Sequence, residues 1–147
     1  MPISDSTLLH DATLTLRNDL LNNITDPVTR ISDSKFVMTS FPERDVQYPL
    51  ILVRVMRMGD ESLGQNSTNS KITVIFQIDI ISQSIKQRDQ LADSVYNRLR
   101  SQQLSSTYQG VGLNDFKLLN MTNIDNPGKA GIHRKIIECS YFYYTAG

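Results

Sequence analysis

Residues 72–82, ITVIFQIDIIS, constrain this chain more than any other stretch, because they alternate and then run directly into a helix signal. Ile72, Val74, Phe76, Ile78 and Ile80 fall on one side of a period of two. Thr73, Ile75, Gln77, Asp79 and Ile81 fall on the other, so one face is wholly apolar and one is mixed. A strand of this kind needs a covering layer on its apolar face, and the next segment supplies one. Ser84 opens a helix, with Gln87 three residues on completing a capping-box pattern. Leu91, Ala92, Val95, Tyr96 and Leu99 make its apolar stripe, while Arg98 and Arg100 sit favourably at the C-terminal end of the dipole. Residues 84–102 as a helix span roughly 28 Å at 1.5 Å per residue, and the strand roughly 35 Å at 3.3 Å per residue. The helix is therefore expected to lie back along the sheet over the face that carries Phe76.

The other elements follow from the same patterns. Leu9, Ala12, Leu16, Leu20 and Ile24 recur at helical spacing and predict a first helix over 6–24, capped by Ser4 or Asp5 and stopped at Asp26-Pro27. Residues 35–41 read as a short strand, followed by a polar, proline-bounded connection to Pro49. LILVRVMRM reads as a strand wet on one face near its far end, and it pairs with 72–82 as a hairpin. Between the two lies MGDESLGQNSTNSK, which predicts a long polar loop over 59–70, more than twice the usual hairpin length. Residues 116–124 and 132–145 are two further strands about the turn DNPGKAG, the last of them central or covered on both faces. The expected architecture is one α+β domain over 1–147, a mixed or antiparallel sheet with two helices packed on it, in the order α-β-β-β-α-β-β.

Little in the sequence points to catalysis. Cys139, the single cysteine, alternates with Ile137 and Tyr141 and reads as core. His10 and His133 are far apart, and on one strand His133 and Cys139 would stand about 20 Å from each other. Asp60-Glu61 falls in the loop, and Asp89 and Asp93 share a helix face that should be solvated, so no carboxylate pair has the apolar surroundings of an acid catalyst. No metal-spaced cluster, catalytic residue or cofactor site is expected. A lid-covered hydrolase or transferase would need a pocket with convergent polar groups.

Fifteen basic groups balance fifteen acidic ones, against the basic excess of a dedicated nucleic-acid binder. A small nucleic-acid-binding module would have to use Arg54, Arg57 and Lys71 as a basic strip, with Tyr141, Tyr143 and Tyr144 stacking on bases. The charge is mildly uneven: residues 1–50 carry four basic and seven acidic groups, a balance of −3, and the remainder +3. The longest unbroken apolar run, LILV, is far too short to span a bilayer, and the N-terminal residues do not read as a secretory signal.

The order of elements is the informative feature. A first helix precedes Tyr48-Pro49 and the strand LILVRV; a long-tipped hairpin follows; ITVIFQIDII passes straight into SIKQRDQLADSVYNRLRS; two strands close the chain, the last rich in aromatics. From about residue 9 to 145 this resembles the tail-terminator (tail-completion) proteins of long-tailed double-stranded DNA viruses, and more loosely their neck, head-completion and minor-capsid relatives. The resemblance implies a non-enzymatic virion protein without cofactor, made in the host cytoplasm and placed at the head–tail junction. Its partners would be copies of itself in a homohexameric ring, the tail tube protein and the head connector or neck proteins. Neither a membrane nor a specific nucleic acid would be a partner, although DNA would pass through the ring. Beside the resemblance, Arg54, Arg57, Asp60, Glu61, Gln65, Asn66 and Lys71 are the candidate interface residues, all on or next to the long hairpin.

Overall fold

Two helices lie on one face of a five-stranded mixed sheet in the computed structural model, which describes residues 3–30, 35–41, 46–63, 69–125 and 131–145. In chain order these are α1 (Leu8–Asn23), β1 (Val37–Met38), β2 (Leu50–Ser62), β3 (Ser70–Ser82), α2 (Ile85–Ser101), β4 (Asn114–Asp125) and β5 (His133–Tyr144). The predicted order and the α+β class are the observed ones. The strands run β1-β2-β3-β5-β4 across the sheet, with β1–β2 parallel and every other pair antiparallel.

β3 is hydrogen-bonded on both sides, to β2 and β5, and this follows from its alternation. Val74, Phe76, Ile78 and Ile80 are fully buried beneath the helices. Ile137, Cys139 and Tyr141 of β5 and Ile51 and Val53 of β2 extend that buried layer. The helices complete it with Ala12, Leu16 and Leu20 from α1 and Leu91, Ala92, Val95 and Leu99 from α2. Aromatic rings fill its middle: Tyr141 meets Phe76 edge-on at 6.0 Å and stacks on Tyr108 at 5.5 Å. β5 is central, as its two-sided pattern predicted, but only its Ile137–Cys139–Tyr141–Tyr143 face is fully buried; Ile136 and Phe142 are half-buried and Tyr144 is exposed.

The helix boundaries follow from capping chemistry. Ser84 caps α2, its Oγ accepting from the Gln87 backbone N–H at 3.3 Å, an interaction that typically stabilises by about 1 kcal/mol. The other half of the capping box is relayed: Ser82 Oγ accepts from the Ser84 N–H at 3.1 Å and bonds the Gln87 side chain at 2.7 Å. α1 begins two residues later than predicted, behind a 3-10 turn at Asp5–Thr7 that Ser4 caps. Its buried stripe starts at Leu8, not Leu9, which is exposed. Leu8 precedes Ala12 by four residues and so stays in line with Leu16 and Leu20, whereas Leu9 turns about 100° further round the helix.

Three other differences bear on function. Only Val37 and Met38 of the predicted 35–41 strand are paired, held beside Ile51 and Leu52. The predicted 59–70 loop is strand at its two ends: Gly59, Asp60, Glu61 and Ser62 pair with Thr73, Ile72, Lys71 and Ser70. Cross-strand hydrogen bonds outweigh the poor strand propensity of Gly59 and Asp60, and the connection contracts to residues 63–69. Finally, the loop after α2 carries the fully buried Tyr108 and a second 3-10 turn, Gln109–Val111. Gly112 closes that turn at φ 111°, with the Tyr143 ring 3.2 Å from where a Cβ would stand, so only glycine fits there without strain.

Cys139 is buried, as its alternation predicted, and burial pushes its thiol up to about 12 from an ordinary 9.0. Burial, with Asp5 as hydrogen-bond partner, raises the Tyr143 phenol to about 12 as well. Both protons are held more tightly in the folded state, so this stabilisation is complete below the unfolded pKa values and is lost as pH climbs towards 12. Two results are expected: a urea midpoint that falls steadily from pH 9 to 11, and no reaction of Cys139 with a maleimide at pH 7 until denaturant is added. Labelling of the native protein at the unfolded rate would contradict this placement of the thiol.

Candidate interaction surface

The helices leave one face of the sheet uncovered, and the mixed side of β3 lies on it. Asp79, on that side, is fully buried and holds two arginines: Arg54 of β2 at 2.7 Å and Arg134 of β5 at 2.5 Å, both on Oδ2. Gln77 donates to Oδ1 at 2.8 Å. Two guanidinium groups thus share one carboxylate, and the cluster keeps one excess positive charge. Removal of a buried charge from water is costly unless it is paired and hydrogen-bonded; here both carboxylate oxygens are engaged. The arginines remain accessible, with 46% and 36% of their side chains exposed. Arg134 Nε is buried and has no hydrogen-bond partner among the described residues.

These groups line a cavity of about 290 Å³ whose other walls are Phe41, Tyr48, Leu52, Ile81, Ile124 and Ile132. That volume is at the small end of ligand pockets and suits a few side chains better than a large cofactor. Leu50, Leu52 and Ile81 form a second, smaller apolar cluster behind it, packed with Met38, Tyr48 and Ile132. Arg30 ties down the segment that builds the wall. It makes two bonds to Asp26, at 2.7 and 2.9 Å, and donates to the Gln47 and Pro49 carbonyls at 2.8 and 2.5 Å.

At the other end of the sheet β2 and β3 run on as an arm. Residues 56–61 of β2 are all exposed, and the three hydrophobic residues Met56, Met58 and Leu63 are 48%, 43% and 51% exposed. A bulge between Val55 and Arg57 sets the faces. Three residues apart on a regular strand, Arg54 and Arg57 would point to opposite sides; the inserted residue brings both to the helix-free face, opposite Gln77 and Ile75. Met58 and Asp60, opposite Val74 and Ile72, consequently face the helix side. There Met58 and Ile72 line a shallow depression with Leu8, Leu9 and His10 of α1.

Arg54, Arg57 and Lys71 therefore share one face, but Arg54 is committed to Asp79 and the Lys71 ammonium lies 3.8 Å from the centre of the Phe142 ring. Tyr141 and Tyr143 are buried, leaving Tyr144 alone of the three tyrosines exposed. Glu61 faces Lys71 across the ladder, while Asp60 faces Ile72. Gln65 and Asn66 lie outside the described residues. The sequence reading missed Asp79 and Arg134, because nothing local marks one acid within an alternating strand as the hub of two arginines.

A second buried carboxylate is structural. Asp19 of α1 accepts from Arg98 of α2 at 2.7 and 3.2 Å, from the Tyr108 hydroxyl at 2.5 Å and from Asn23 at 3.1 Å. Arg98, expected at the helix dipole alone, is the tie between the two helices, and Asp19 in turn raises its pKa. Asp89 is not simply solvated either: Lys135 and Arg88 hold its carboxyl below the usual range, while Asp93 is exposed. His10 is exposed and His133 half-buried. Among the described residues no group of three or more His, Cys, Asp or Glu is placed to hold a metal ion, and no helix is long and apolar enough to cross a membrane.

No protein-family model matches the chain, and no curated protein matches it. Solved structures do. A chain in the virion of a native gene transfer agent (GTA) particle superposes with a TM-score of 0.51 at 14% identity, over 74% of this chain and 78% of that one. What this chain shares with that virion protein is its overall fold across the matched portions of the two chains.

Proposed function

We propose that this chain is a non-enzymatic virion protein that closes into a ring, a homohexamer, at the head-proximal end of a tail tube. In this role the whole of 1–147 is one tail-terminator-like domain, which ends tube polymerisation and joins the tube to the head connector. The observation that carries the reading is the fold shared with a GTA virion chain over about three quarters of both proteins. The element order, which resembles tail terminators, supports it. A tube grows because each ring offers the next a complementary surface that does not close on itself. A terminator has to present one face that accepts the last ring and another that refuses a further one. The subunit has two unlike ends, a charged pocket at one end of the sheet and an exposed arm at the other, as a head-to-tail contact between copies in a ring needs.

The test is native mass measurement of the full chain, with electron microscopy of tail tubes assembled in its presence. Closed symmetric oligomers that cap tubes and limit their length are expected. A strictly monomeric protein that neither binds tubes nor changes their length would refute the proposal. Binding to connectors but not to tubes would instead indicate a neck or head-completion protein. Salt-sensitive DNA binding would favour a nucleic-acid module, a reading that the burial of Tyr141 and Tyr143 and the Arg54–Asp79 pair disfavour.

A further inference from the structure

We infer that the Arg54–Asp79–Arg134 pocket is the socket for Asp60 on the arm of a second copy of this chain, a contact that rests on the ring reading above. The pocket holds two guanidinium groups against one carboxylate and keeps a buried, unpartnered Nε within an apolar wall. A second carboxylate would balance the charge, and charge-assisted bonds to arginine are among the stronger polar contacts. The arm carries the complement. Asp60 is exposed, enters no ion pair among the described residues, and stands beside Met58 and opposite Ile72. Asp60 is thus flanked by the apolar Met58 and Ile72, as the basic groups of the pocket are flanked by apolar walls. Glu61 is less suited, because the ladder sets it opposite Lys71.

Asp60 cannot reach the pocket of its own subunit. It lies level with Ile72, seven residues along β3 from Asp79, roughly 23 Å at 3.3 Å per residue. It also points to the helix side, whereas the pocket opens on the other. Each subunit therefore offers a plug at one end and a socket at the other. This is a heterologous contact, which closes into a ring when the rotation between neighbours permits.

Asp60→Lys places a cation against two arginines. It is expected to weaken self-association at least tenfold, about 1.4 kcal/mol, while the melting curve of the isolated subunit stays unchanged because residue 60 is exposed. The second measurement uses cysteines at the two ends, Met58→Cys beside Asp60 on the same strand face with Phe41→Cys at the pocket, which keep the Asp60 carboxylate in a chain whose native thiol is buried. Mild oxidation of the assembled double variant should give a ladder of covalent multimers, which neither single variant gives. Unchanged association of Asp60→Lys, or assembled double variant without the ladder, would overturn the socket and leave the ring standing. Wild-type protein that stays monomeric both alone and with tail tubes would overturn the ring as well.

Discussion

Asp19→Ala should lower the unfolding free energy by about 3–5 kcal/mol, the cost of breaking a buried ion pair from one side. The Asp19 side chain is 2% exposed, and four donor groups from three parts of the chain converge on it. Truncation strands the Arg98 guanidinium, whose side chain is 23% exposed, and leaves the fully buried Tyr108 hydroxyl without its acceptor. It also unties α1 from α2, and with them the loop that carries Tyr108. Domains of this size are stable by about 5–15 kcal/mol in all, so the loss is a large share of the total. Tyr108→Phe is the informative control. It removes one donor and leaves both arginine bonds, so it should cost about 1 kcal/mol. Urea denaturation of both variants checks the pair. If Asp19→Ala unfolds within 1 kcal/mol of the parent, the network does not hold the helices together.

Phe76→Ala is the second large effect, again about 3–5 kcal/mol, because burial is lost and a cavity is left. Phe76 is fully buried on the central strand and meets Tyr141 edge-on at an interplanar angle of 80°. Tyr141 also packs on Tyr108 and Phe116, each at 5.5 Å between ring centres. The hole would therefore open under a ring stack whose members cannot all slide to fill it. At roughly 3 °C per kcal/mol for a domain of this length, the melting temperature should fall by about 10–15 °C. Ile75→Ala, one residue earlier, alters the opposite and uncovered face, where the side chain is half-buried, and should cost a fraction of that. Equal losses at 75 and 76 would mean that the uncovered face is packed in the isolated subunit. Loss of assembly at 75 without loss of stability would place Ile75 in a contact between subunits.

The parts legible in the sequence are those whose pattern is local. Alternation along 72–82 identified both faces of β3, because a strand with one dry side must repeat every two residues. The spacing of Leu91, Ala92, Val95 and Leu99 placed α2 on that dry side, and Ser84 marked where it starts. The pattern also assigned Ile137, Cys139 and Tyr141 to the core. Local pattern was weakest where two registers compete, as at Leu8 and Leu9, and where pairing overrides propensity, as along Gly59–Ser62.

Tertiary structure alone decided the charged sites. Arg98 and Asp19 are 79 residues apart, Tyr108 and Asp19 89, and Arg134 and Asp79 55. No periodicity links such positions; only the strand order β1-β2-β3-β5-β4 and the packing of α1 beside α2 bring them within hydrogen-bond distance. Arg54 and Arg57 share a face for a reason equally invisible in composition, one bulged residue in β2. The hydrophobic pattern selects the fold because burial acts on each residue by its own face. The pocket and the arm depend on which distant side chains those faces align.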